Sequence, residues 1–160
     1  MSFPKPPWDE AQIRAFFARD DLAPGHTAML GFAFVDLSMD EMWFECRFNP
    51  GKDLCSPWGA VQGGYVTAML DEAMSISAIM TTGFDGVVPT LEMKTSFLAP
   101  VMPGPVRARG QVLKRGKRIF YTEGRLYAPD GSVTTHATAT CTHRPHAQVK
   151  EDKARRESGG

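Results

Sequence analysis

Hydrophobic and polar residues alternate along four segments in the second half of the chain, which is the pattern of half-buried β-strands. Three of these segments cover residues 90–97, 106–112 and 119–128. In the fourth, residues 133–143, every second position carries Val133, Thr135, Ala137, Ala139 or Cys141. Two earlier apolar runs, residues 29–37 and 42–48, flank a short polar stretch that predicts a hairpin. The short connections favour one antiparallel sheet.

Two segments have the periodicity of helices instead. Residues 9–20 place Ile13, Phe16 and Phe17 on one face, which predicts a short amphipathic helix packed on the main body. Residues 62–82 are apolar around most of the helix circumference and stop at Gly83. Because so apolar a helix must be covered, we predict an α+β domain in which the sheet curls around it.

The pattern divides the chain into three regions. A helical extension covers residues 1–28, and the sheet with its long helix covers residues 29–143. Residues 144–160 are charged and poor in apolar side chains, so we predict that this tail is disordered.

Composition narrows the range of functions. The chain has 18 Lys and Arg against 18 Asp and Glu, and this balance argues against nucleic acid or an anionic membrane as the main partner. No apolar run approaches the roughly 18 residues of a membrane span, and the N-terminus lacks a secretory pattern, so we expect a cytoplasmic protein. The three cysteines and four histidines show neither CxxC pairing nor metal-ligand spacing, and we expect no metal.

The stretch VQGGYVTAMLDEAMS at residues 61–75 carries the candidate chemistry. The first N–H groups of a helix have no internal partners, and Gly63 and Gly64 let a ligand approach them, so this end can stabilise an oxyanion. The alternative is that the glycines only form a turn. Asp71 and Glu72 lie in the apolar middle of the helix, with Ser75 one turn beyond Asp71. The alternative for the acids is a solvated stripe.

The spacing between the glycine pair and the acids constrains how they could work together. Eight residues separate Gly63 from Asp71, which is about 12 Å of helix. Since a hydrogen bond needs roughly 3 Å, one carbonyl cannot contact both groups of the same helix. Two antiparallel helices related by a two-fold axis would place Gly63 of each chain opposite Asp71 of the other, which predicts a homodimer with two composite sites.

The quoted stretch, followed by TLEMKTSFLAPVMPGP and the strands up to residue 143, resembles the hotdog-fold acyl-CoA thioesterases of the phenylacetate-pathway (PaaI-like) and 4-hydroxybenzoyl-CoA type. The resemblance implies a hotdog fold with about six strands wrapped around one helix. It implies hydrolysis of a small aromatic or short- to medium-chain acyl-CoA to the free acid and coenzyme A, with no cofactor beyond the substrate. It also implies dimers that pair into tetramers.

The resemblance implies specific roles for four residues. Gly63 matches the backbone donor to the thioester carbonyl, and Asp71 matches the carboxylate that acts as nucleophile or general base. Ser75 and Thr90 fall where some members place hydroxyl groups that orient the water or the acid. Two positions depart from the family pattern: Gln62 replaces a histidine, and Ser56 replaces an Asn or Gln. We expect Gln62 to supply an amide hydrogen bond that steadies the loop or the substrate, and Glu72 is a weaker candidate than Asp71 for the acid.

Further residues are candidates for substrate binding. Gly64, Ser56 and Trp58 lie close to the proposed site in sequence. Four basic residues at a turn could hold the phosphates of coenzyme A, with a solvated turn as the alternative: Lys114, Arg115, Lys117 and Arg118. Two other functions stay open. A hotdog dehydratase or hydratase usually needs a histidine with an acid on the helix, and this helix contains no histidine. A non-catalytic acyl-CoA-binding module is the third reading.

Overall fold

The structure, a computed structural model, describes residues 5–19 and 25–158. The elements are α1 (Glu10–Phe17), α2 (Gly25–Met29), β1 (Ala33–Ser38), β2 (Trp43–Phe48), α3 (Gly63–Met80), β3 (Thr90–Phe97), β4 (Val106–Arg115), β5 (Ile119–Tyr127), β6 (Val133–Thr142) and α4 (His146–Ser158), with one 3-10 turn at Lys52–Leu54. Both predicted helices and all six predicted strands are present in the expected order.

The six strands form one sheet in the order β1-β2-β4-β5-β6-β3, and every neighbouring pair is antiparallel. Helix α3 lies against this sheet. Gly110 and Gly124 face each other on β4 and β5, directly beneath the helix. A Cβ at Gly110 would lie 2.2 Å from the carbonyl oxygen of Ala73, and one at Gly124 would lie 2.9 Å from the Met74 side chain. One long helix thus packs closely on a six-stranded antiparallel sheet, which confirms the predicted hotdog fold.

The core lies between α3 and the concave face of the sheet. Ten residues of α3 are buried, among them Val66, Met69 and Leu70. On β2, Phe44, Cys46 and Phe48 are fully buried and alternate with more exposed neighbours, as the period of two predicts. Burying each such large apolar side chain contributes roughly 1.5–3 kcal/mol, so this layer dominates the stability of the domain.

The first predicted strand is shorter than its apolar run. Met29 ends α2, and the strand begins at Ala33 after a turn at Gly31, whose φ of +66° favours glycine. Met42, which the apolar pattern assigns to the next strand, lies in the hairpin turn with a φ of +56°. Periodicity alone does not separate a short apolar helix from a strand, which explains the difference.

The edge strand β3 also differs in detail from its pattern. Met93 packs against the core as predicted, but Leu91 and Phe97 are 60% and 55% exposed. An irregularity in the pairing with β6 falls between Thr90 and Glu92. Because β3 has only one neighbouring strand, apolar side chains on it are left uncovered in a single chain.

The N-terminal segment packs on the main body, as its amphipathic pattern predicts. Asp9 and Gln12 form a capping box at the start of α1, and Ile13 is fully buried. The ring of Phe17 lies 5.0 Å from that of Phe44, centroid to centroid. The backbone N–H of Trp8 donates to the carbonyl of Gly83, where α3 has ended. Residues 1–4 and 20–24 of the predicted extension lie outside the described residues.

The C-terminal segment is helical, whereas its composition predicted disorder. Helix α4 covers His146–Ser158, and Arg144 forms an ion pair with Asp152. Lys153 and Glu157 lie 3.7 Å apart at helical spacing. Ala, Gln, Lys, Glu and Arg are strong helix formers, so local propensity outweighs the shortage of apolar side chains here. None of the helices in the described part of the chain is long and apolar enough to span a membrane.

Candidate active site

Asp71 lies at the middle of α3, and a residue from the sheet holds its carboxylate. The hydroxyl of Thr90 donates to Oδ1 of Asp71 over 2.7 Å. Thr90 is the first residue of β3 and pairs with Cys141 of β6. Burial, together with the negative charge of Asp71, raises the pKa of the Cys141 thiol to about 11. The helix, the edge strand and its neighbour therefore meet around one half-buried carboxylate.

Ser75, one turn beyond Asp71, is half-buried. Among residues 5–19 and 25–158, no hydrogen bond joins it to Asp71, and the hydroxyl on that carboxylate comes from Thr90. Of the two hydroxyl residues that the resemblance indicates, the structure brings only Thr90 into contact with the acid.

A cleft of about 470 Å³ opens beside Asp71, between α2 and α3. Its lining is His26, Met29, Leu30, Gln62, Gly64, Tyr65, Ala68, Asp71 and Glu72. The apolar members come from both helices, so the short helix α2 forms a wall of the cleft. A space of this size and lining can hold an acyl group next to the carboxylate.

Glu72 shares this cleft with Asp71 but has different surroundings. Burial raises the pKa of Glu72, His26 lowers it, and the charge of Asp71 raises it. Nε2 of His26 lies 3.6 Å from Oε2 of Glu72. Sequence reasoning missed this pair, because nothing in the pattern links a histidine on α2 to an acid on α3.

The start of α3 is capped by Gln62. Its side-chain oxygen accepts from the N–H of Gly64 at 2.7 Å, and its backbone carbonyl accepts from Tyr65 and Val66. The amide of Gln62 thus steadies the helix start, one of the two roles we expected for it. In the described part of the chain, the N–H of Gly63 makes no hydrogen bond, which leaves this donor available to a ligand.

Gly63 faces a different cleft from Asp71. This second cleft measures about 390 Å³ and is lined by Ala60, Val61, Gly63, Val66, Phe97, Leu98, Ala99, Pro100 and Val101. A Cβ at Gly63 would lie 3.2 Å from the Phe97 ring. Because the two groups line different clefts and lie about 12 Å apart along the helix axis, they do not converge within one chain.

The other predicted binding residues do not line either of these two clefts. Ser56 begins a closed turn in which its N–H donates to the carbonyl of Ala60 over 2.8 Å, and Trp58 at its tip is 93% exposed. The four basic residues of the predicted cluster are all exposed around the β4–β5 turn: Lys114, Arg115, Lys117 and Arg118. Strand residues beside this turn, Val112 and Phe120, pack with Ala78 and Ile79 at the C-terminal end of α3.

The histidines outside the cleft have other partners. Nε2 of His136 lies 3.3 Å from Glu123, and Nε2 of His143 lies 2.8 Å from the carbonyl of Asp85. Over residues 5–19 and 25–158, no group of three or more His, Cys, Asp or Glu side chains is placed to hold a metal ion.

Comparison with known proteins identifies the domain. Residues 59–135 match the family model described as the thioesterase superfamily. A provisionally named esterase of Saccharolobus solfataricus is 26% identical over 113 residues, which make up 68% of this chain and 74% of that protein.

Solved structures show the same fold. A protein of Ralstonia eutropha, provisionally described as a thioesterase related to phenylacetic acid degradation, superimposes with a TM-score of 0.74 and 27% identity, covering 81% of this chain and 97% of that one. A Streptococcus mutans protein bound to acetyl CoA superimposes with a TM-score of 0.65 and 16% identity, over 71% and 89% of the two chains. The match over residues 59–135 and the shared fold confirm the resemblance to the thioesterase superfamily.

Proposed function

We propose that this protein is an acyl-CoA thioesterase that hydrolyses a small aromatic or short- to medium-chain acyl-CoA to the free acid and coenzyme A. The observation that carries the proposal is the Thr90–Asp71 hydrogen bond, which presents a half-buried carboxylate at the wall of an apolar cleft. The superfamily match, the esterase and thioesterase names of the relatives, and acetyl CoA in the S. mutans protein support it.

Asp71 promotes attack on the thioester in one of two ways. Thr90 occupies Oδ1, and Oδ2 either attacks the thioester carbonyl or takes a proton from a water that attacks it. When Oδ2 attacks, the acyl group is transferred to Asp71 as an anhydride while the C–S bond breaks, and a water then cleaves the anhydride to release the acid and regenerate the carboxylate. When Oδ2 acts as the base, the oxygen of the water forms the new C–O bond and the C–S bond breaks to give the acid directly. In both courses the sulfur leaves as a thiolate that takes up a proton. The hydroxyl of Thr90 fixes the orientation of the carboxylate through either course.

The N–H of Gly63 supplies the oxyanion donor from a second chain. A donor of this kind lowers the barrier by roughly 3 kcal/mol when it is aimed at the developing oxyanion. Since Gly63 and Asp71 face separate clefts in one chain, the site is composite, with two α3 helices antiparallel across a two-fold axis. The exposed apolar side chains Leu91 and Phe97 on the edge strand suit burial against such a partner.

The coenzyme arm leaves this site toward the β4–β5 turn. From Asp71 to Ile79 is about 12 Å of helix, and the basic cluster Lys114, Arg115, Lys117 and Arg118 lies just beyond that end. Exposed cations there can pair with the coenzyme phosphates. The cleft that would take the acyl group extends from Asp71 in the opposite direction, toward Gln62.

Subunit complementation tests the composite site most directly. We expect Asp71→Asn and Gly63→Ala each to lose most turnover in thiol-release assays with acyl-CoAs. If the two variants are unfolded together and refolded as mixed dimers, each mixed dimer regains one intact site, and about a quarter of wild-type activity returns. Asp40→Asn, an exposed acid in the β1–β2 turn, is the matched control. Failure to regain activity would place the site within one chain, and near-normal turnover of Asp71→Asn would remove Asp71 from the mechanism.

One observation favours the hydratase alternative. The structure brings His26 to within 3.6 Å of Glu72, an acid on the long helix, although α3 itself contains no histidine. A His–acid pair can add or remove water by general acid–base catalysis. Mass spectrometry of intact enoyl-CoA and hydroxyacyl-CoA after incubation separates the two functions: a hydratase shifts the thioester mass by one water, whereas a thioesterase releases free thiol.

A further inference from the structure

The cleft beside Asp71 has an unusual balance of charge for an apolar pocket. Its lining contains two carboxylic acids, Asp71 and Glu72, one histidine, and no Lys or Arg among the described residues. Asp71 is held by Thr90, but the partner of Glu72 is His26 at 3.6 Å, with a side chain that is 65% exposed. An acyl group bound in this cleft therefore lies beside two acids whose negative charge is opposed, within the lining, only by the largely exposed His26.

Glu72 is placed to contact the acyl group and not the thioester. Adjacent helical residues point about 100° apart, so when Asp71 faces Thr90, Glu72 faces toward α2. There it lies with Met29, Leu30, Tyr65 and Ala68, the apolar members of the lining. The Glu72 side chain is only 26% exposed, so little water surrounds its carboxylate to screen the charge.

We propose that Glu72 makes this cleft selective by charge: it rejects acyl groups that end in a carboxylate and accepts neutral or cationic ones. This inference rests on the proposed thioesterase function, which puts the acyl group in the cleft of the chain that supplies Asp71. A second carboxylate beside Glu72 would face like charge with little screening, while an ammonium group would find an acceptor. The selectivity comes from repulsion, and the apolar wall supplies the affinity.

Three acyl-CoAs of equal chain length test the proposal: hexanoyl-CoA, adipyl-CoA with a terminal carboxylate, and ω-aminohexanoyl-CoA. The coenzyme is common to all three, so its phosphates cancel in the comparison. We expect wild-type protein to prefer hexanoyl-CoA over adipyl-CoA by at least about tenfold in kcat/KM, and to turn over the amino compound at least as well as hexanoyl-CoA. The difference falls mainly on KM, because the tail occupies the cleft in both the bound and the transition state.

Variants of Glu72 separate charge from shape. In Glu72→Gln the ratio of hexanoyl-CoA to adipyl-CoA efficiency falls about tenfold, and the amino compound loses its advantage. In Glu72→Asp, which keeps the charge, discrimination against adipyl-CoA persists. Glu151→Gln removes one exposed acid from α4 and controls for net charge. Thermal unfolding and size-exclusion chromatography check that each variant is folded.

The same panel is also measured as equilibrium binding by calorimetry, which separates failure of the inference from failure of the function. Turnover without charge discrimination overturns the inference and leaves the thioesterase proposal standing. Binding that depends on tail charge through Glu72, without turnover, supports the selective cleft and overturns the thioesterase proposal. Equal binding of all three compounds by wild type and Glu72→Gln overturns the inference whatever the turnover.

Discussion

The start and the middle of helix α3 present their functional groups in different ways. At the start, Gly63 exposes a backbone amide, and Gln62, its neighbour in sequence, caps the adjacent N–H. In the middle, Asp71 depends on Thr90 from the edge strand and on a cleft wall from α2. The amide donor is thus positioned by residues next to it in sequence, whereas the Asp71 carboxylate is positioned by contacts with distant segments of the chain. Disturbing the sheet should affect the acid more than the donor.

Removing the Thr90 hydroxyl should have the largest effect of the changes that leave both reacting groups in place. Thr90→Val keeps the shape but loses the hydrogen bond to Asp71. Hydrogen bonds to charged groups contribute about 1.5–3 kcal/mol, which corresponds to a roughly 10- to 100-fold loss of kcat. Thr90→Ser should restore most of it. Equal kcat for Thr90→Val and wild type would show that the carboxylate needs no support from the sheet.

Crowding the donor in Gly63→Ala should also remove most turnover, although somewhat less than loss of the Thr90 hydroxyl removes, and steric relief should recover part of it. In Gly63→Ala the new Cβ lies 3.2 Å from the Phe97 ring, so the ring or the first turn of α3 must shift by a few tenths of an ångström. Adding Phe97→Leu removes the crowded ring, and we expect the remaining activity of the variant to rise about threefold or more. A threefold rise needs the barrier to fall by less than about 1 kcal/mol, because a tenfold change in rate corresponds to about 1.4 kcal/mol. Steady-state kcat of the single and double variants checks this. A double variant no faster than Gly63→Ala would place the cause in the amide itself.

Removing the cap should affect stability more than turnover. Gln62→Ala leaves the N–H of Gly64 without its acceptor, and loss of such a cap costs about 1 kcal/mol of unfolding free energy. Gln62→Asn offers a shorter acceptor and should recover part of the loss. Urea unfolding of the three proteins measures it. A large fall in kcat with unchanged stability would instead assign Gln62 to substrate binding.

The smallest effect concerns pH. Burial raises the pKa of Glu72 above its ordinary value of 4.5, so the folded protein holds this proton to a higher pH than the unfolded chain does. The stability that Glu72 contributes is therefore fully present below pH 4.5 and is lost as pH rises through the folded-state pKa. The unfolding free energy of Glu72→Gln minus that of wild type should rise over this window. Urea unfolding at several pH values tests the sign, and a flat difference would contradict the burial of Glu72.

Much of the fold could be predicted because the spacing of apolar residues within each segment indicates whether that segment is a strand or a helix. The alternation on β6 and the apolar circumference of α3 were sufficient to indicate an antiparallel sheet around one helix. The glycine pair and Asp71 could also be located, because their residue types are costly on an apolar helix and so stand out.

The rest of the site depends on contacts between distant segments. Helix α2 has five residues, too few to show a helical period, and its apolar end fits the pattern of a strand equally well. The pairing of His26 with Glu72 therefore could not be anticipated. Helix α4 was missed for another reason: charged residues that cannot build a core can still form a helix through their own propensity.

The facing glycines Gly110 and Gly124 have a consequence for the chemistry, although neither contacts the site. Because they lack side chains, α3 can pack closely on the sheet at Ala73 and Met74, which follow Asp71 by two and three residues. A methyl group at Gly110 would meet the helix backbone at Ala73 and push α3 away from the sheet, whereas one at Gly124 would meet the Met74 side chain. Because Thr90 belongs to the sheet, a displaced helix would carry Asp71 away from it. The distance between the Thr90 hydroxyl and the Asp71 carboxylate therefore depends on how closely the helix packs on Gly110 and Gly124, which have no side chains.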